Sequence, residues 1–200
     1  MIRIRWPIAA LAITALLGTT PPSRAADDVG IDALPDGTFI HKDSKTVFKA
    51  PTSPWTVIAP YRLRKSTSST VLGLEKWEGD KPQITMTVVW SPNGDKPFTD
   101  IINSEGDNLG EEHATLATVY GRGKVGLPSA FKVGSFTVFK VLIDDGPDRD
   151  GRFAGAMYLF ESGPADKRWK VKIRAIYPAL NREEYMKQVE DVIKQFSKEE

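Results

Sequence analysis

The chain has 200 residues with 27 basic and 26 acidic side chains and no cysteine. Without cysteine there are no disulfides, thiol nucleophiles, thiolate metal sites or acylated cysteine anchors. The near balance of charge gives no footprint for nucleic acid or an anionic membrane.

The first residues read as an export signal. Arg3 and Arg5 precede an apolar run from Ile8 to Leu17, which is too short to span a bilayer. Ser23 and Ala25 then stand at −3 and −1 of a cleavage site. Residues 1–25 are therefore a predicted signal peptide, 26–37 a loose lead-in and 38–200 one domain of ordinary size. Loss of Arg3, Arg5 and Arg24 leaves 24 basic against 26 acidic residues, a mature charge of −2. An exported or periplasmic product, soluble after cleavage, is the expectation.

Short strands are predicted at 38–41 and 46–50 around the turn 42–45. Pro51, Pro54 and Pro60 break regularity around Trp55, and 61–65 is extended and basic. Clearer strands follow at 71–77 and 83–90. In the second, Ile84, Met86, Val88 and Trp90 alternate with Gln83, Thr85, Thr87 and Val89, so one face is buried. Residues 98–112 read as a helix weakened by Gly106. A Gly-rich loop at 121–126 precedes strands at 131–143, 152–160 and 169–177, joined as a meander. The first two of these are apolar on both faces and so require cover on both sides.

The last strand alternates Trp169, Val171, Ile173, Ala175 and Tyr177 with Lys170, Lys172 and Arg174. The three cations read as the polar face or edge of that strand. Pro178 ends it. Asn181 then stands as a helix N-cap with Glu184 three residues on. The closing helix is expected to run to about Ser197, with Tyr185, Met186, Val189, Val192, Ile193 and Phe196 on one stripe. The predicted fold is α+β: an antiparallel sheet sandwiched between helical layers and closed by that amphipathic helix.

The order of these elements resembles the PsbP-like superfamily, which includes the photosystem II extrinsic protein and a DcrB-like bacterial envelope protein. The residues that carry the resemblance are Phe48-Lys49-Ala50-Pro51 with Trp55, then Ile173-Arg174-Ala175-Ile176-Tyr177, then Val192-Ile193-Lys194-Gln195-Phe196. They span residues 46–197. The resemblance implies an α/β/α sandwich and a non-catalytic role in binding a protein partner. It implies no shared catalytic set, metal or cofactor. A second reading is a helix-grip carrier holding a small apolar ligand beneath the C-terminal helix, although Trp169, Tyr177, Tyr185 and Phe196 are large enough to fill that space.

Candidate chemistry is sparse. Asp144, Asp145, Asp148 and Asp150 crowd one turn, but their spacing is not that of a calcium loop and they read as a solvated hairpin. His41 and His113 are the only histidines, and neither has sequence partners for a triad or a metal site. A hydrolase built on scattered Asp, Glu and His is the third reading. Arg62, Arg64, Lys65, Arg122 and Lys124 are candidates for a basic partner-binding surface.

Overall fold

The computed structural model describes residues 30–62, 69–93, 104–105, 108–144 and 153–199. The expected signal, and most of the acidic turn, lie outside them. Thirteen strands and two α-helices are present among the described residues. The strands are β1 Ile31–Ala33, β2 Thr38–His41, β3 Thr46–Lys49, β4 Trp55–Arg62, β5 Thr70–Glu78, β6 Lys81–Pro92, β7 Ser104–Glu105, β8 Asn108–Leu109, β9 Ser129–Val133, β10 Phe136–Asp144, β11 Phe153–Ser162, β12 Trp169–Pro178 and β13 Phe196–Lys198. The helices are α1 Glu111–Tyr120 and α2 Arg182–Ile193.

Seven strands form one sheet in the order β4-β5-β6-β12-β11-β10-β9. Four more form a second sheet, β1-β2-β3-β13, and β7-β8 pair as a separate ribbon. All pairings are antiparallel. The expected sandwich of one sheet between helical layers is therefore incorrect. Strands dominate, the helices are 10 and 12 residues long, and a second sheet supplies much of the expected helical cover.

Three local differences produce this outcome. Of the expected helix at 98–112, residues 98–103 and 106–107 lie outside the described residues; Ser104–Glu105 pairs with Asn108–Leu109, and α1 begins at Glu111. The expected strand 131–143 is a hairpin, β9 and β10, turning at Gly134, whose φ of 53° suits a residue without Cβ. The closing helix stops at Ile193, and Phe196 enters β13 opposite Phe48 of β3. Asn181 stands at the N-cap as expected, but it is left-handed, φ 62°, and makes no side-chain cap hydrogen bond.

Pro60 does not end a strand but lies within β4, an edge strand whose register shifts between Ile58 and Tyr61. Proline is tolerated there because an edge leaves one row of N–H groups outside the ladder. The strands expected at 71–77, 83–90 and 169–177 are present; the first is one residue longer at each end, the second two, and the third one residue longer at its C-terminal end.

One face of the large sheet packs Leu72, Met86, Val88, Tyr158, Phe160 and Ile173 against Val189, Val192 and Ile193 of α2 and against Phe48 and Phe196 of the small sheet. The aromatic rings are in contact: Phe48 and Phe196 centroids are 4.5 Å apart, Phe136 and Phe160 4.6 Å, and Phe160 and Phe196 5.5 Å. Lys140 to Glu190, 3.0 Å, and Lys76 to Gln188, 2.7 Å, tie α2 to β10 and β5. The other face packs Val141, Ile143, Met157 and Leu159 under Leu116 of α1.

Candidate binding sites

Of the five cations expected to share one surface, Arg62, Arg122 and Lys124 lie on described elements. Arg62 ends β4 at one edge of the large sheet, whereas Arg122 and Lys124 lie on a 3-10 turn, Arg122–Lys124, after α1. That turn leads to Val125, which bridges to Ile143 of β10 near the opposite edge. Arg64 and Lys65 lie outside the described residues, as do the side chains of Arg62 and Arg122.

Lys124 lines a cleft of about 420 Å³ at the head of α2. The 3-10 turn, the ends of β10 and β12, the start of β11 and the first turns of α2 build it. Leu142, Ile143, Ala154, Tyr177 and Met186 give it an apolar lining, and Lys124, Asp144, Arg182 and Glu183 supply its charges. Arg182 Nη1 donates to Asp144 Oδ2 at 3.1 Å across the space between α2 and β10. Both side chains are about half exposed, so this pair adds little to stability. The cleft thus unites two residues noticed separately in the sequence, Lys124 and Asp144. It also contains Met186, expected on the apolar stripe of the closing helix, and Arg182, which the sequence does not single out. Asp145, Asp148 and Asp150 lie outside the described residues.

His41 belongs to a different kind of site. Its ring stacks on Trp90, centroids 5.4 Å apart and 6° from parallel, and meets the edge of Trp169 at 4.6 Å. The Ser44 backbone N–H donates to His41 Nδ1 at 3.2 Å. Ser44 Oγ and Thr46 Oγ1 are 2.7 Å apart; Thr46 donates to Ser162 Oγ, which donates to the Ser44 carbonyl. All four residues are buried. The network links β2, β3 and the turn between them to the end of β11. Among the described residues no serine hydroxyl is hydrogen-bonded to the imidazole; the arrangement joins the two sheets. Burial pushes His41 down to about 4; Asp43 opposes that shift and Lys167 adds to it.

The third polar feature is Glu112, in the first turn of α1. Its carboxylate accepts from Lys170 Nζ at 2.6 Å and Lys172 Nζ at 3.1 Å. Burial raises its pKa, but the Lys170 hydrogen bond and the charges of Lys172 and Lys170 outweigh this and leave it below the ordinary value. His113 beside it is also buried, and burial lowers its pKa although Val125 opposes the shift. Lys170, Lys172 and Arg174 do not mark an edge. β12 lies between β6 and β11, so the cations stand in the middle of the sheet, on the face that carries α1. Glu112→Gln leaves two partly buried ammonium groups without their counter-charge. It is expected to lower the unfolding free energy by about 2 kcal/mol, measured by urea denaturation at neutral pH. An unchanged midpoint would show the triad to be energetically idle.

Among the described residues no helix is long and apolar enough to cross a membrane. Comparisons with protein-family models, curated proteins and solved structures return no match.

Proposed function

We propose that this protein is an exported, non-catalytic binding domain and that the cleft at the head of α2 receives a segment of a protein partner in the cell envelope. The cleft carries the reading: an apolar lining formed by three strands and a helix, with two cations and two carboxylates around it. Such a lining suits an apolar side chain, and mixed charge around it suits a peptide backbone flanked by polar groups. The export signal and the likeness to the PsbP-like superfamily support the same reading.

The volume also lies within the range of small-molecule sites, roughly 300–1,000 Å³. This favours one second reading, a carrier of a small apolar ligand. Its site would be the cleft at the end of the helix, since Val189, Val192 and Ile193 are packed directly onto the core beneath it.

A photo-crosslinking residue at position 186 tests both. On the partner reading, cells exporting this variant yield one discrete protein adduct, identified by mass spectrometry. The purified partner then binds wild-type protein, and Arg182→Glu reduces that binding by about tenfold or more. A crosslinker at Lys132 on β9 gives no such adduct. On the carrier reading, purified protein binds the neutral probe N-phenylnaphthylamine saturably, and Met186→Trp abolishes the binding by filling the cleft. An adduct equally strong from position 132, with no saturable probe binding, would remove the cleft from both readings.

A further inference from the structure

Three cations in a row on a central strand are costly unless something answers their charge. Here Lys170, Lys172 and Arg174 face one carboxylate, Glu112, which is already held by both lysines. Among the described residues Arg174 makes no ion pair. Its guanidinium lies over the Tyr120 ring, 5.2 Å from the centroid. A cation–π contact of this kind leaves guanidinium N–H groups available for a further partner.

Beside this row runs a groove of about 280 Å³ between α1 and strands β6, β12 and β11. Val89, Leu116, Val119 and Met157 line it with apolar surface, while Lys172 and Arg174 enter from β12. Val119 is two-thirds exposed although it points into this lining. Lys172 and Arg174 are two residues apart on one face of a strand, so their stems are about 7 Å apart. Glu112 is the one carboxylate among the described lining residues. Its partners leave the local charge positive.

We propose that this groove binds a small apolar molecule carrying a single carboxylate. The head group lies between Arg174 and Lys172, where Arg174 gives a two-pronged contact and Lys172 a point charge. The apolar body covers Val89, Met157 and the exposed side of Val119. The small volume favours a compact ligand, of the size of a medium-chain fatty acid or an aromatic acid, over a folded element of a protein. The excess of positive charge favours a carboxylate over a neutral or cationic amphiphile. The groove shares no lining residue with the cleft at the head of α2, so the two proposals stand or fall separately.

Octanoate, octanol and octyltrimethylammonium separate the contributions of head and tail. Each is titrated into the full domain and followed by backbone amide NMR at neutral pH. Octanoate is expected to saturate in the millimolar range and to shift Leu116, Val119, Tyr120 and Met157. Octanol is expected to bind about tenfold more weakly and the cationic amphiphile not at all. Arg174→Met keeps the stem and removes the charge, and is expected to reduce octanoate affinity to that of octanol. If that variant does not fold, Lys172→Gln is expected to produce a loss in the same direction. Equal binding of the three probes, shifts confined to Leu142, Tyr177 and Met186, or no saturation by octanoate would each overturn the proposal.

Discussion

Phe196→Ala is expected to lower the unfolding free energy by about 3–5 kcal/mol, the range for deleting a buried phenylalanine side chain. Phe196 is 2% exposed. Its ring stacks on Phe48 at 4.5 Å and meets Phe160 at 5.5 Å and Trp90 at 6.4 Å. Those partners come from both sheets, so no single element can shift to refill the space. Part of the loss is burial and part is the cavity that remains. Phe196→Leu preserves most of the volume and is expected to cost less than half as much. Urea unfolding of both variants at neutral pH checks this. A loss below about 1 kcal/mol for the alanine variant would mean that the last strand is not packed between the sheets.

Acidification between pH 6.5 and 4 is expected to destabilise the protein by up to about 3 kcal/mol through His41 alone. The folded-state pKa lies near 4, against 6.5 for the free side chain, chiefly because of burial. Above pH 6.5 the imidazole is neutral in both states and its contribution is constant. As pH falls, the unfolded chain takes up a proton that the folded chain refuses, so stability decreases. Below about pH 4 both states are protonated and the slope from this group ends. Protonation of Nδ1 would also remove the acceptor of the Ser44 N–H bond. His113, whose pKa is lowered by burial, contributes with the same sign. Comparing wild type with His41→Gln isolates the His41 share. Urea midpoints at pH 7.5 and 4.5 should differ more in the wild type than in the variant. Equal differences would show that His41 is accessible to protons in the fold.

How much of this was legible in the chain depended on distance. Alternation in 83–90 and 169–177 identified β6 and β12 and their buried faces, because period two is a local property. It did not reveal that the two strands pair with each other, with Ile173 opposite Val88. Without that register, Lys170, Lys172 and Arg174 read equally as a polar face or as a protected edge. Phe196 was misread because it follows Ile193 at a helical spacing, while its strand is created by a partner far away, Phe48. The split of 131–143 had a visible cause in Gly134, but an apolar run on either side concealed it. The small sheet was only half visible: β2 and β3 were anticipated as strands, whereas its outer strands, β1 and β13, were not.

The candidate sites were less legible than the fold. Lys124 and Asp144 were noticed for separate reasons, one for its charge and one for its turn, and only the approach of the 3-10 turn to β10 joins them. Arg182 was hidden in the first turn of an amphipathic helix, where polar residues are ordinary. Glu112 is adjacent to His113 in the chain. Its partners instead stand across the sheet, on β12.

The pairing of β13 with β3 bears on how the chain acquires its structure with time. The β5–β6 hairpin is local and can form as soon as both strands exist. The centre of the large sheet cannot, because β12 must travel back to β6. The small sheet waits longer still, since its last strand follows α2 in the chain. Even the polar clasp of Thr46 with Ser162 joins groups 116 residues apart. Such remote pairings carry a large loop-closure cost before they return any contact energy. A growing chain is therefore expected to remain open until β12 and β13 have been synthesised, and early edges such as the free side of β6 to stand without a partner during that interval. The timing of synthesis, and any factor that shields those edges meanwhile, becomes part of what sets the yield of folded protein.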